Sequence, residues 1–334
     1  MGRTLLHDLV QRRFAHDQRH APDPAAAQPR RSGERAVVPD AEFTSYYGRP
    51  VLNPPRWQAR DIAGYLFLGG LAGASSVLGA GAQVTGRPGL ARSAKVTALG
   101  AIGLSAVALV HDLGRPERFL NMLRVVKPTS PMSMGSWLLS AYGPAAGVAA
   151  ATAVTGRLPK VGAAATAGAA LLGPAVAAYT AALFADTAVP AWHDAHRELP
   201  YVFVGSAATA AGGFALVTAP SDEQAPARAL AAIGVVTELG AFELMQRRMG
   251  LTAEPYRSGP GGRWIRASQV LAVGGAAGAL LGRGRVASAL SGAALVAASA
   301  CTRWGIFHGG VESVRDPRYT VVPQRTRASR TTLR

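Results

Sequence analysis

Eight long apolar runs, separated by shorter polar segments, constrain the fold of this chain more than any other feature. The runs are residues 61–84, 93–111, 136–156, 161–185, 199–219, 229–246, 266–282 and 286–308. A helix that crosses the hydrocarbon core of a bilayer needs about 20 mostly apolar residues. The seventh run is the weakest, and it is expected to begin near Trp264, an aromatic residue suited to the membrane interface. The sequence therefore predicts an all-α integral membrane protein with eight transmembrane helices.

The composition is typical of closely packed membrane helices. The 334 residues include 39 glycines and only 7% aromatic residues, and small residues let membrane helices approach one another closely. The single cysteine, Cys301, excludes an internal disulfide and an iron–sulfur cluster held by four thiolates of this chain. The formal net charge is +16, but most cations flank apolar runs, which favours a role in membrane topology over nucleic-acid binding.

The two ends of the chain differ from its centre. Residues 1–45 are polar and rich in arginine, and they are predicted to form a disordered basic tail. Arg12-Arg13 suggests a twin-arginine signal, but no compact apolar stretch follows the pair, so no cleavable signal peptide is predicted. The membrane domain is predicted to span residues 46–325, with a short tail at 326–334.

Lysine and arginine are distributed unevenly between the two predicted sides. Eight crossings place both termini on one side, which also carries loops 112–135, 186–198 and 247–266; we call it the terminus face, and the other side the opposite face. The terminus face carries 26 cations and the opposite face eight, or 16 against eight without those before residue 61. Cytoplasmic segments carry the excess of cations, so both termini are predicted to be cytoplasmic, with the protein in the inner or plasma membrane.

Polar residues collect where the second predicted helix meets the terminus face. His111, Asp112 and Arg115 lie together there. A quinone head group needs a hydrogen-bond partner at each carbonyl and a group that exchanges protons, and His or Asp beside Tyr can supply both. Tyr65 and Tyr179 fall near terminus-face helix ends and can reach such a pocket. The alternative is structural, with an Asp–Arg pair that fixes the loop.

The remaining histidines raise the possibility of haem. Outside the N-terminal tail, His111, His193, His196 and His308 all lie on the terminus face, and haem iron takes axial histidine ligands. A haem between helices needs histidines well inside them, and none of the four meets that condition, so haem is not predicted. Asp61, at the start of the first helix, is either an interfacial residue or part of a head-group pocket.

Three charged residues fall inside predicted helices. Glu238 and Glu243 lie in the sixth helix and Arg303 in the eighth. Charge in a bilayer is costly, so such residues usually face the bundle interior and find a partner. The three are predicted to form part of a proton path. A structural Glu238–Arg303 pair explains the pattern equally well, so both interpretations stay open.

Several motifs together resemble those of the NrfD/polysulfide reductase membrane-subunit family. The strongest is Asp112-Leu113-Gly114-Arg115-Pro116, and similar segments occur at residues 46–50, 65–73, 130–133, 135–137 and 309–310. The resemblance covers residues 46–325. It implies two four-helix bundles, a quinone pocket in the first bundle and a docked ferredoxin-like iron–sulfur subunit. It also implies a catalytic partner, often a molybdopterin enzyme such as formate dehydrogenase or polysulfide reductase, and no haem.

The resemblance also implies site residues, although this chain departs from the family after Trp192. There it has His193-Asp194-Ala195-His196-Arg197 where the family usually has Trp-Asn. The residues expected to react with the quinone are His111, Asp112 and Tyr179. Those expected to bind it are Tyr65 and Trp192, together with Asn53 and Asp61, which are chosen from their location in the chain and not from the resemblance. No metal ligands are expected.

The predicted function is electron exchange between membrane quinone or quinol, either menaquinone or ubiquinone, and the iron–sulfur cluster of a partner. Protons are expected to pass through His111 or Asp112. Three rival functions stay open: a haem b anchor that also serves quinones, an ion-translocating subunit without a quinone site, and a passive anchor without a pocket.

Overall fold

A computed structural model describes residues 50–55, 57–115 and 117–332. This part of the chain contains no β-strand and has eight helices long and apolar enough to cross a membrane. The prediction of an eight-helix membrane protein is therefore confirmed. The helices are α1 (Ala59–Val84), α2 (Pro88–Asp112), α3 (Pro131–Thr155), α4 (Pro159–Ala185), α5 (Leu199–Thr218), α6 (Ala225–Met249), α7 (Gly259–Leu281) and α8 (Arg285–Arg315).

Several helices are longer than the apolar runs that predicted them. Prolines stand in the first turn of α2 and α3, because proline suits a position whose N–H has no partner within the helix. The Ser130 side chain caps α3 by accepting a hydrogen bond from the Ser133 backbone N–H at 3.4 Å. The polar turns around the apolar runs thus continue the helices to the membrane surfaces. At the C-terminus a further helix, Arg318–Thr332, overlaps the predicted tail, and the predicted N-terminal tail lies outside the described residues.

The helices pack in two sets of neighbours that are joined through α1 and α5. In the first half, α1 packs against α2 and α4, and α3 also packs against α2 and α4. In the second half, α5 packs against α6 and α8, and α7 contacts both. Helix α1 also touches α5 and α8, so the two halves share an interface. The division into two separate four-helix bundles stays a prediction.

Glycines set the closest helix crossings. A Cβ added to Gly73 of α1 would lie 2.3 Å from the carbonyl oxygen of Gly173 in α4. A Cβ added to Gly292 of α8 would lie equally close, 2.3 Å, to the Gly213 oxygen of α5. At both crossings the backbones are in contact, which is the arrangement that small residues permit in membranes.

Both ends of the membrane domain meet on one face. Trp57, just before α1, stacks on Trp192 in the segment after α4, with ring centroids 5.8 Å apart. The backbone N–H of Ala191 donates to Ser313 Oγ near the end of α8 at 3.2 Å. The start of α1 and the end of α8 therefore lie on the same face, as eight crossings require.

Candidate functional site

An acid–histidine pair joins α1 to α2 on the terminus face. Asp61 lies in the first turn of α1 and His111 in the last turn of α2. Their Oδ2 and Nδ1 atoms are 3.2 Å apart, the distance of a weak hydrogen bond. The Asp61 side chain is 12% exposed and that of His111 is 73% exposed. The pair thus connects a buried carboxylate to an accessible imidazole.

Two tyrosines and a second carboxylate surround this pair. Tyr65 lies one turn after Asp61 on α1 and is buried. Its hydroxyl group interacts with that of Tyr179 on α4, and the Asp112 carboxylate is close enough to act electrostatically on Tyr65 and Asp61. The structure therefore brings together five of the predicted site residues, from three helices. We call these five residues the acid–tyrosine cluster.

The structure does not support the alternative role for Asp112. Asp112 and Arg115 form no ion pair in the described part of the chain, and the loop is fixed instead by Arg118 Nη1, which donates to the Leu113 carbonyl at 3.0 Å. The Asp112 side chain is thus not committed to pinning the loop.

Gly135 positions Tyr179, a role that the sequence motif alone did not reveal. A Cβ on Gly135 would lie 2.4 Å from Cε2 of the Tyr179 ring, so the start of α3 packs directly on that ring. In the sequence, the Gly-Ser-Trp motif at residues 135–137 indicates only a resemblance to the family. Its glycine gives the tyrosine the space to reach Tyr65.

An apolar groove leads to His111 from the side of the molecule. Its volume is about 500 Å³, and its lining residues are Ala106, Val107, Val110, His111 and Gly114. Val107 is 66% exposed. In a bilayer, exposed apolar residues on a spanning helix face lipid, so the groove joins His111, the exposed member of the acid–tyrosine cluster, to the lipid-facing side of α2.

Asn53 and Trp192 do not line the groove at His111. Both line a pocket of about 330 Å³ that shares no lining residue with the groove at His111. The Trp192 ring is fully buried and stacks on Phe184, with centroids 4.3 Å apart, and its Nε1 donates to the Ile306 carbonyl at 2.7 Å. These contacts give Trp192 a packing role. Trp192 belongs to the same buried apolar cluster as Tyr65, against which Tyr179 also packs, and Asn53 shares only the pocket with Trp192.

The charged loop after Trp192 is fixed by α6. Arg248 donates from Nε and Nη2 to the two carboxylate oxygens of Glu198, at 2.6 Å each, and from Nη2 also to the Asp194 carbonyl. Hydrogen bonding by this guanidinium holds the pKa of Glu198 below its usual value. Thr252 donates to Asp194 Oδ2 at 2.8 Å. The loop thus uses its charges for tertiary bonds to the end of α6 and to the turn that follows it.

The two loop histidines are exposed, and each makes a hydrogen bond to a backbone carbonyl group. Their Nδ1 atoms lie 3.0 Å from backbone carbonyl oxygens, of Ala185 for His193 and of His193 for His196. Within the described part of the chain, no group of three or more His, Cys, Asp or Glu side chains is arranged to hold a metal ion.

A second polar network lies inside the other half of the protein. Glu238 of α6 is 3% exposed and accepts hydrogen bonds from Thr302 of α8 and from Thr209 of α5, the latter at 3.5 Å. The Ser268 hydroxyl lies 2.6 Å from that of Thr302. Each hydroxyl has one proton to donate, so Ser268 donates to Thr302 when Thr302 donates to Glu238.

Arg303 faces α1 and α5 and does not pair directly with Glu238. It is fully buried, with its guanidinium 3.8 Å above the Phe203 ring centroid and Nη2 donating to the Phe203 carbonyl at 2.9 Å. The Nε and Nη1 atoms have no hydrogen-bond partner among the described residues. Glu243 lies at the surface, where its carboxylate bonds Arg247 at 2.7 Å. The structure thus places Glu238 and Arg303 in the interior and Glu243 outside it.

The fold and the acid–tyrosine cluster define a multi-pass helical membrane protein with titratable groups gathered at one end. A family model described as Polysulphide reductase, NrfD, matches residues 56–295, which is most of the chain. The chain therefore belongs to the NrfD polysulphide reductase family, as its motifs predicted. Family membership makes it a membrane subunit of a polysulphide-reductase-like oxidoreductase complex. A comparison with curated proteins finds no match.

The Glu198–Arg248 pair predicts acid-sensitive stability. The folded-state pKa of Glu198 is lowered, so its contribution is present above the unfolded pKa of about 4.3 and is lost as pH falls through the folded value. We expect Glu198→Gln to lower the free energy of unfolding by about 2 kcal/mol at pH 7, since it removes bonds to a charged partner. Unfolding temperatures of the detergent-purified protein at pH 7 and near pH 3 measure this.

Glu243→Gln is the matched control, because the Glu243–Arg247 pair is exposed. Its effect should stay below about 0.5 kcal/mol at either pH. Equal losses in the two variants, or a Glu198→Gln deficit that persists unchanged in acid, would contradict the assignment.

Proposed function

We propose that this chain is the quinone-reactive membrane subunit of its oxidoreductase complex. It exchanges electrons between membrane quinone or quinol and an iron–sulfur cluster in a subunit docked on the terminus face. The observation that carries the proposal is the acid–tyrosine cluster: Asp61, His111, Asp112, Tyr65 and Tyr179 converge at one end of the family's membrane domain, beside a groove open to lipid. The family's association with the quinone pool is consistent with it.

The residues of the cluster fit the chemistry of a quinone head group. When bound, a quinone supplies a two-electron, two-proton carrier. The tyrosine hydroxyls can donate a hydrogen bond to a carbonyl oxygen, and the His111 imidazole can donate or accept a proton. Asp61 holds Nδ1 of His111, which leaves Nε2 free for the head group. The exposed position of His111 gives the proton a path to the aqueous surface.

The surface beside the cluster suits a docked partner. The loop after α2 exposes the cations Arg115, Arg118, Arg124 and Lys127. Val125 and Val126 are 65% and 59% exposed in the same loop. A surface that combines cations with exposed apolar residues favours a protein partner with acidic groups at its rim. We assign this surface to a ferredoxin-like iron–sulfur subunit, which passes electrons to or from a catalytic subunit of the molybdopterin type.

The cation asymmetry supports a cytoplasmic location for this partner. The terminus face carries the larger share of lysine and arginine, which is typical of the cytoplasmic side of a cell membrane. The partner would then act on a cytoplasmic substrate, which favours a formate-dehydrogenase-type catalytic subunit.

Replacing the acid–histidine pair should abolish quinone turnover without breaking the complex. We expect Asp61→Asn and His111→Gln each to lower quinone-linked turnover of the purified complex at least tenfold, because positioned proton transfer contributes about 10²–10⁴ to such rates. Turnover of the partner with a soluble artificial electron acceptor should be unchanged. Asp222→Asn, an exposed carboxylate on the opposite face, is the control, and normal quinone turnover in both cluster variants would sink the proposal.

The contact between Gly135 and Tyr179 gives a second test. Gly135→Ala adds a methyl group that must displace the Tyr179 ring, so the Michaelis constant for quinone should rise and turnover should fall several-fold. Gly143→Ala, in the same helix, meets no neighbouring atom within 4 Å and should behave as the wild type. Indistinguishable kinetics for the two variants would show that Tyr179 does not face the substrate.

The buried network around Glu238 supports a second candidate function, a proton path through the other half of the protein. Among the described residues, Glu238 bonds only to hydroxyl groups, which can relay protons, and Arg303 presents two buried nitrogen atoms, Nε and Nη1, without a hydrogen-bond partner. Glu243 lies at the terminus-face end of the same helix, where protons can enter from the surface. We propose that the path runs through Glu243 and Glu238, with Arg303 setting the local potential.

Glu238→Gln separates this function from quinone chemistry. In vesicles that contain the complex, the variant should keep at least half of the quinone-linked turnover and lose the accompanying proton movement, read with a pH-sensitive dye. Asp222→Asn should leave both signals intact. Unchanged proton movement in Glu238→Gln would restrict Glu238 to a structural role.

A further inference from the structure

A cationic pocket lies on the opposite face, far from the acid–tyrosine cluster. It has a volume of about 490 Å³ and is lined by the start of α2, including Arg87, Arg92 and Lys95. No carboxylate lines it, and none of the three cations forms an ion pair in the described part of the chain. The nearby Glu223 carboxylate is already bonded to the backbone N–H groups of Gly89 and Leu90, at 3.2 and 2.6 Å.

Lys95 is the unusual member of this set. It lies seven residues into α2, yet it is only 7% exposed. Side chains on a helix point back toward its N-terminus, and the Lys95 ammonium accordingly donates to Gln83 Oε1 at the end of α1. An ammonium group has three donors, so two remain for a ligand. A buried cation in a membrane domain usually marks a site with an anionic partner.

An apolar crevice continues from this pocket into the membrane. Its volume is about 720 Å³, and it shares Gly89 and Arg92 with the cationic pocket. On α2 its wall is a stripe at four-residue intervals, and the facing wall comes from α1 and α5. The stripe consists of Arg92, Val96, Gly100 and Leu104, and the facing residues include Leu68, Leu71 and Phe214.

The crevice has the length of one lipid leaflet. From Arg92 to Leu104 the helix rises about 18 Å, close to half of the roughly 30 Å hydrocarbon core. Val96 and Leu104 are 46% and 60% exposed, so this wall is accessible to lipid. The cations thus lie at head-group depth and the crevice at acyl-chain depth.

We propose that this pocket and crevice form a binding site for one anionic phospholipid, separate from the quinone site. The phosphate accepts hydrogen bonds from Arg87, Arg92 and Lys95, and their positive charges balance its negative charge. One acyl chain lies along α2. A quinone head group has no charge to match three cations, and free phosphate has no part that uses the crevice. The lipid accounts for both halves of the site.

The head-group half is tested by counting bound lipid. Native mass spectrometry of the full chain, delipidated and then titrated with phosphatidylglycerol or phosphatidylcholine, should show one tightly bound phosphatidylglycerol. Arg87→Gln combined with Arg92→Gln should weaken it about tenfold or more. Arg157→Gln combined with Arg283→Gln removes two exposed cations of the same face outside the pocket and should have no effect.

The acyl-chain half is tested with a pair of glycines on α2. Gly100 lines the crevice, and a Cβ added to it meets no atom within 4 Å, so Gly100→Leu places its side chain in the crevice. Gly103 has equal space but does not line the crevice, so Gly103→Leu is the control. Gly100→Leu should displace the lipid while Gly103→Leu retains it.

Each remaining outcome overturns the proposal. Equal binding of phosphatidylcholine would remove the role of charge, and equal binding by Gly100→Leu would remove the crevice. Displacement of the lipid by millimolar glycerol phosphate, tested in the same titration, would reduce the site to a phosphate pocket. Quinone turnover in the arginine variants should stay normal, which separates this site from the proposed function.

Discussion

The interior of a bilayer offers no water to polar groups, and the structure of this protein follows from that constraint. Backbone groups are satisfied within helices, and a buried polar side chain must find a partner on a neighbouring helix. Polar residues are therefore gathered into a few networks, of which Asp61–His111 and Glu238–Thr302 are examples. Glycines bring backbones into contact at Gly73 and Gly173, on the two helices that also carry Tyr65 and Tyr179.

Helix α1 connects these networks along its length. Its first turn supplies Asp61 and its second Tyr65 to the acid–tyrosine cluster. At mid-membrane, a Cβ on Gly70 would lie 3.3 Å from Arg303 Nη2, so the bare glycine lets that guanidinium fit between α1, α5 and α8. At the far end Gln83 receives Lys95. The helix is buried for most of its length, and it contacts a different polar group at each of these levels.

The eight crossings and much of the cluster could be predicted from sequence, whereas the direction of each side chain could not. Apolar length identifies a spanning helix, and helix ends place Asp61, His111 and Tyr179 at one face. Packing decides which side of each helix faces the interior of the protein. In helices rich in alanine and glycine, the sequence shows little difference between the buried and the exposed side. Glu243 was therefore grouped with Glu238, although it points to the surface. The sequence likewise does not show that Lys95 turns inward toward Gln83, or that Gly135 packs against the Tyr179 ring.

One side of α2 links the two proposed ligands. Arg92, Gly100 and Leu104 line the crevice of the opposite leaflet, and Val107 and His111 continue the same helical stripe into the groove of the terminus leaflet. The proposed phospholipid occupies the part of the stripe in the opposite leaflet, between Arg92 and Leu104. The quinone head group is proposed to bind in the other leaflet, at His111, where Asp61 and the tyrosines can exchange its protons and a docked partner can exchange its electrons. Because the two ligands use different leaflets along one face of α2, each can bind without displacing the other.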